Sequence, residues 1–258
     1  MKEISINDID VEKLKKVSTK STESIVFLDE ENNQIYKFFR SYLCSFEILL
    51  KRIKLDILQE KREISEIVIP DAMIMNKSII GTRESYIEGL DLVDIKSKYQ
   101  DAKTILDILL NVSKSIYNIH QNEIVISDLN FGNIRIDNDD NPRFLDILSA
   151  EIDNIPSNTI SLVLNKYYKI NNQKDIINKN GDKISFMLLI FNLIFDKNMF
   201  NISSYEYDKM KEKISFLHNI EDIFYLLTKK QDVIPEIPYL HELVEENKEV
   251  YIYENKMR

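Results

Sequence analysis

Tryptophan is absent from this 258-residue chain, cysteine occurs once, and glycine and proline number only 4 and 5. A single Cys44 cannot close an internal disulfide, so the fold rests on burial, and a reducing cytoplasm is the expected compartment. The glycines are too scattered to form a glycine-rich loop, the device that lets backbone approach a phosphate closely. Long apolar runs are lacking too: the most hydrophobic stretch, Ile184–Phe195, is interrupted by Ser185 and Asn192 and is too short to span a bilayer. The opening MKEISINDID has no apolar signal core. Positive charge is in deficit, 34 Lys and Arg against 43 Asp and Glu, and the net charge of -9 argues against a nucleic acid or an anionic membrane as partner. Neither an internal repeat nor a low-complexity linker divides the chain. Its length suits one large domain or two lobes sharing a cleft.

The most informative segment is Ile124–Ala150, IVISDLNFGNIRIDNDDNPRFLDILSA. Ile124–Ile126 is a short apolar strand running into a polar loop. Ile134–Asp137 and Arg143–Ile147 read as two strands joined by the turn cluster Asn138-Asp139-Asp140-Asn141-Pro142. Hairpin pairing would return Asp146 to the neighbourhood of Asn133, with both facing the loop that carries Asp128. A carboxylate, an amide oxygen and a second carboxylate converging on one point suit phosphoryl transfer, with Asp128 orienting a hydroxyl while Asn133 and Asp146 hold Mg²⁺. Taken singly, each is an ordinary turn residue. A calcium loop starting at Asp137 fails, because Pro142 stands where glycine is needed and Leu148 where a bidentate Glu belongs.

At these residues the chain resembles the protein-kinase-like superfamily. The kinase catalytic loop reads H-R-D-L-x-x-x-N, and Ile126-Ser127-Asp128-Leu129-Asn130-Phe131-Gly132-Asn133 keeps Asp, Leu and Asn in register. Leu145-Asp146-Ile147-Leu148 falls where kinases carry D-F-G. Ile126 and Ser127 replace the His and Arg, and Ile147 and Leu148 the Phe and Gly. The resemblance implies an α+β, bilobal protein-kinase-like fold. Residues 1-86 would form a small antiparallel-sheet lobe with one helix, and residues 87-258 a larger, mainly helical lobe.

It also implies roles elsewhere. Ile25–Leu28 and Gln34–Phe39 read as a hairpin, and Lys37 in the second strand takes the place of the V-A-I-K lysine that neutralises the phosphates of ATP. Taken alone, Lys37 reads as the solvent-facing member of an alternating strand. Ser41–Leu58 is an amphipathic helix with Phe46, Leu49, Leu50, Ile53 and Ile57 on one face. Glu47 is the first choice for the acid that holds Lys37, with Asp56 and Glu60 as competitors. Ile67–Met75 and Ser78–Tyr86 are expected as further strands. Tyr86, Ile87 and Glu88 resemble the hinge that meets the adenine edge, which places Glu84 near the gatekeeper position. Thr104–His120 is a helix delivering the chain to the catalytic loop, with His120 structural at its end. Asp182, in Gly181-Asp182-Lys183-Ile184-Ser185, resembles the D-x-x-S start of the buried central helix and would accept hydrogen bonds from the catalytic-loop backbone; the plainer reading is a helix N-cap. Ser204–Leu227 and Pro238–Glu246 complete a helical lobe.

Thr19-Lys20-Ser21-Thr22-Glu23-Ser24 stands where the glycine-rich loop would be, and Glu23 would repel phosphate unless it points away. No A-P-E motif follows Asp146, although Ser149, Ser157, Thr159, Tyr167 and Tyr168 do. Without an Arg beside Asp128, activity is expected not to depend on phosphorylation of that segment. The resulting expectation is an ATP- and Mg²⁺-dependent phosphotransferase acting on a hydroxyl, protein Ser/Thr favoured. The alternatives are a pseudokinase that binds nucleotide or serves as a scaffold, and a small-molecule kinase of aminoglycoside-phosphotransferase type.

Overall fold

The computed structural model describes residues 2–18, 23–41, 43–99, 101–157, 159, 164, 176–195, 202–211, 218–228 and 234–245. The fold is α+β, an antiparallel-rich sheet in the N-terminal part followed by helices, an arrangement consistent with two lobes. Ser24–Asp29 (β3) and Gln34–Phe39 (β4) pair in full register from Ser24↔Phe39 to Asp29↔Gln34. Their turn is held by Asp29, whose carboxylate accepts from the Glu31 and Asn32 amides, and by Asn33 at φ 52°. Lys2–Ser5 (β1), Lys15–Ser18 (β2), Ala72–Asn76 (β5) and Ser78–Ser85 (β6) complete a sheet of order β1-β5-β6-β4-β3-β2. Its one parallel pair, β1 with β5, lay beyond sequence reading because four half-polar residues show no usable alternation. Strand β5 begins at Ala72 rather than near Ile67, since Ile67 and Val68 instead meet Phe144.

Gly89–Asp91 (β7) leaves the upper sheet and joins Ile134–Asp137 (β9) and Pro142–Phe144 (β10) in a second sheet of order β10-β9-β7. Gly89 is required there: its φ is 147°, and a Cβ would lie 2.0 Å from the Ile136 carbonyl oxygen. The short Ile95–Lys98 (α2) precedes Ala102–Gln121 (α3), which is capped by Asp101 accepting from the Thr104 amide at 2.7 Å. Ile124–Val125 (β8) pairs with Glu151–Ile152 (β11). Lys179–Phe195 (α4) is buried nearly all round, as its composition demands; Phe224 of His218–Thr228 (α6) stands edge-on to its Phe191, Ser204–Lys211 (α5) packs on α6, and Leu240–Glu245 (α7) packs on α3 and α6. The expected helix Ser204–Leu227 thus appears as α5 and α6, with residues 212–217 outside the described part. Among the described residues, no helix is long and apolar enough to cross a membrane.

Ser45–Glu60 (α1) corrects the expected orientation of its helix. Phe46, Leu49 and Ile53, assigned to the buried face, are 65%, 50% and 38% exposed, while Lys51, Lys54, Leu55 and Leu58 are buried. The lysine stems are apolar, and their ammonium groups find acceptors inside: Lys51 bonds Glu23 at 2.7 Å, and Lys54 donates to the Leu148 carbonyl at 3.3 Å. Lys54 has no exposed surface, and burial, with the like charge of Lys51, lowers its pKa to about 8. In the unfolded chain Lys54 is charged up to its usual pKa near 10.5, so folding carries a penalty that is full below pH 8 and fades as pH rises towards 10.5. Lys54→Met should therefore raise stability at pH 7 by on the order of 2 kcal/mol. Urea melts at pH 7 and pH 10 check this, since the gain should shrink at the higher pH; equal stability of both proteins at pH 7 contradicts it.

Candidate functional site

Strand β8 ends at Val125, and the chain enters a loop whose backbone is held from below. Ser127 sits at φ 61°, a left-handed conformation that a non-glycine residue adopts at a cost. Asp182 offsets that cost. Its carboxylate is 1% exposed and accepts from the Ile126 amide at 2.6 Å and the Ser127 amide at 2.8 Å. It also accepts from His120 Nε2 at 2.9 Å, and His120 Nδ1 meets the Tyr239 hydroxyl at 2.7 Å. Burial pushes the Tyr239 phenol up to about 12, which keeps that hydroxyl protonated. The cap of α4 is a different residue, Asn178, whose side-chain oxygen accepts from the Gly181 amide at 2.9 Å. Asp182 is thereby free to face the loop. His120, fully buried at the end of α3, ties the two helices to it.

The loop presents Asp128 and then Asn133. Asn133 Nδ2 donates to the Asp128 backbone carbonyl at 3.0 Å, and that carbonyl can only accept, so the Asn133 amide oxygen is the end left for a ligand. The β9–β10 pairing continues through the Leu145 amide, which donates to the Asn133 carbonyl at 2.9 Å and brings Asp146 back beside the loop. The strand stops at Phe144 instead of running to Ile147. Asp146 turns left-handed at φ 59°, and Ile147–Ser149 forms a 3₁₀ turn with all three residues buried. Asp tolerates this backbone better than most residues.

Lys37 on β4 reaches Asp146 at 3.5 Å and Glu84 at 2.8 Å. Lys37 opposes Thr82 in the ladder, so Glu84, two residues on, lies diagonally across on the same face of the sheet. Burial alone would lower the Lys37 pKa, but the two carboxylates hold it above its ordinary value. Asp146 is held below the usual carboxylate range, first by Lys37 and further by Lys51, against the opposing effect of burial. Asp128 moves the other way: burial raises it, opposed by Asn130 and Asn133 and reinforced by the negative charge of Asp146.

Glu47 does not join this group. It accepts from the Cys44 amide at 2.7 Å in a capping box at the start of its own helix, and the acid beside Lys37 is Glu84 from the sheet. A single cleft of about 450 Å³ is lined by Lys37, Glu84, Asp128, Asn133 and Asp146 at one end, and by Val17, Val26, Ile35, Tyr86, Ile87 and Arg135 among others at the remaining walls. Tyr86 and Ile87 therefore face the cleft. Glu88 is exposed, bonds Asn138 at 3.1 Å and is not among the lining residues.

Sequence reading missed Glu84 as the lysine's partner, and it missed Arg135. The Arg135 guanidinium lies 5.3 Å from the Tyr86 ring centroid and bonds the Gly89 carbonyl at 3.0 Å. Its Nε is buried with no partner. The available signal was a lone basic residue between apolar neighbours in Ile134-Arg135-Ile136. Ser127 bonds Ser157, whose hydroxyl also donates to the Ser149 carbonyl at 2.7 Å, so hydroxyls hold the segment after the loop. Tyr167, Tyr168 and Thr19-Lys20-Ser21-Thr22 lie outside the described residues.

Among the described residues, no three His, Cys, Asp or Glu side chains gather as a metal cage. The donor set still suits Mg²⁺, a hard cation commonly bound by one or two carboxylates with substrate phosphates and water completing its shell. Asp146 is an ionised carboxylate open to the cleft, and Asn133 offers a neutral oxygen. No protein-family model matches this chain, and no curated protein matches it in sequence.

Proposed function

We propose that the protein is an ATP- and Mg²⁺-dependent phosphotransferase of protein-kinase-like type, moving the γ-phosphoryl group of ATP to a hydroxyl. The observation that carries this reading is the shared wall of one cleft. Lys37, paired to Glu84 and Asp146, stands with Asp128 and Asn133 in one cleft, whose other lining residues include the apolar Val17, Val26, Ile35, Ile87 and Leu145 beside Tyr86 and Arg135.

The base would lie between Val17, Val26 and Ile35 above and Tyr86, Ile87 and Arg135 below, which leaves the phosphates at the Lys37 end. Lys37 neutralises phosphate charge. Asp128, its carboxyl raised by burial, orients the acceptor hydroxyl and takes its proton as the new bond forms. The acceptor oxygen bonds Pγ, the bond from Pγ to the β–γ bridging oxygen breaks, and ADP and a phosphate monoester leave. Asn133 and Asp146 would hold Mg²⁺, which when bound supplies further neutralisation of the phosphates.

Ligand binding gives the first test. Saturating ATP with Mg²⁺, at about 100 times its Kd, should stabilise the folded protein by about 2.7 kcal/mol, seen as a rise in melting temperature. No rise with ATP and Mg²⁺ contradicts the reading. A rise without any phosphoryl transfer would reduce it to a nucleotide-binding pseudokinase.

A further inference from the structure

The sign of the charge that α1 turns inward is the reverse of what a lysine-holding helix needs. Its buried face brings Lys51 and Lys54 towards the site, and Lys37 is held from within the sheet by Glu84. Adjoining the main cleft is a small recess lined by Lys51, Glu23, Lys37, Glu84 and Asp146, together with apolar residues, Ser24 and Thr82. Recess and cleft share Ser24, Lys37, Glu84 and Asp146, so Lys51 stands next to the wall that would receive phosphate. Lys51 is 4% exposed and bonded to Glu23 at 2.7 Å. Glu23 enters at the start of β3 and lies close enough to Asp128 and Lys54 for its charge to act on both. A carboxylate among lysines, on a recess that shares a wall with the cleft, occupies the electrostatic position of a phosphate.

We infer that Lys51 is a second phosphate-directed cation, held in this structure by Glu23, and that an incoming polyphosphate displaces the Glu23 carboxylate to take up Lys51. This rests on the phosphotransferase reading and adds a residue to it. Two consequences follow from the geometry. Lys37 is positioned by a neighbouring strand and does not need α1 to move. Glu23, which as a free charge would repel phosphate, is instead neutralised by Lys51 until the ligand competes for that lysine. The sequence position of Glu23, directly after Thr19-Lys20-Ser21-Thr22, then has a chemical use.

The test is calorimetric titration of the full chain with MgATP, with Mg²⁺-tripolyphosphate and with adenosine. Glu23→Gln should bind both polyphosphates about tenfold more tightly than wild type, because one competing negative charge is gone. Lys51→Met alone would strand a half-buried carboxylate and endanger folding, so the lysine is tested in Lys51→Met/Glu23→Gln, which removes both charges at similar volume. That double variant should bind the polyphosphates at least about tenfold more weakly than Glu23→Gln. Adenosine affinity should be the same in all three. If wild type binds MgATP while Glu23→Gln binds it equally or more weakly, the Lys51–Glu23 pair is only a brace, and this inference fails with the phosphotransferase reading intact. If wild type binds neither MgATP nor tripolyphosphate, the phosphotransferase reading fails, and the role of Lys51 fails with it.

Discussion

Asp128→Asn is expected to lower phosphoryl transfer by about 10²–10⁴-fold, the range for loss of a positioned general base, while MgATP affinity changes little. The substitution is nearly isosteric. Asn133 and Asn130 bond the backbone carbonyl of residue 128, at 3.0 and 3.2 Å, so the loop should keep its shape. What disappears is the acceptor for the hydroxyl proton. The same carboxyl sets a pH dependence. Burial raises the Asp128 pKa above its ordinary value near 3.8, and the base works only when ionised. Turnover should therefore fall as pH drops, through a pH above the usual aspartate range, and Asp128→Asn should lose that limb. Steady-state rates across pH, with binding measured separately, check both parts. A variant with full activity contradicts the assignment of Asp128 as base.

Asp182→Ala should cost on the order of 3–9 kcal/mol of folding stability. Three buried donors lose their acceptor together, the amides of Ile126 and Ser127 and the His120 ring, at roughly 1–3 kcal/mol each. Domains of this kind are stable by only about 5–15 kcal/mol, so the Ala variant is close to the limit of folding. Asp182→Asn keeps one acceptor oxygen and should fall between the two. Ser127 gives the loss a functional reach: its left-handed backbone is held by one of those bonds, one residue before Asp128. Urea denaturation of wild type, Asp182→Asn and Asp182→Ala should give that order. An Ala variant within 1 kcal/mol of wild type would contradict the role of this carboxylate.

Where local pattern and tertiary contact agreed, the chain was readable from its residues. The β3–β4 hairpin, the α3 helix and the apolar α4 follow from alternation, capping and helical spacing. The Asp128, Asn133 and Asp146 spacing was legible because a hairpin returns the chain to its start, and the observed β9–β10 register does so. Helix α1 was misread because its apolar stripe and its buried face differ. Lysine stems can line an interior when their ends find Glu23 and the Leu148 carbonyl, and such long-range partners leave no mark in local periodicity. Glu47 was misread for a related reason. At the third position of a helix an acid serves its own N-cap, and Glu84 becomes visible as the partner of Lys37 only once strand order places β6 beside β4.

The most direct measurement is ADP and phosphomonoester formation from ATP by the wild-type protein, with and without Mg²⁺, beside Asp128→Asn. Turnover that requires Mg²⁺ and falls at least about 10²-fold in the variant is the predicted result. Turnover equal in both proteins, or no turnover by the wild type at any Mg²⁺ concentration across a range of hydroxyl acceptors, would contradict it.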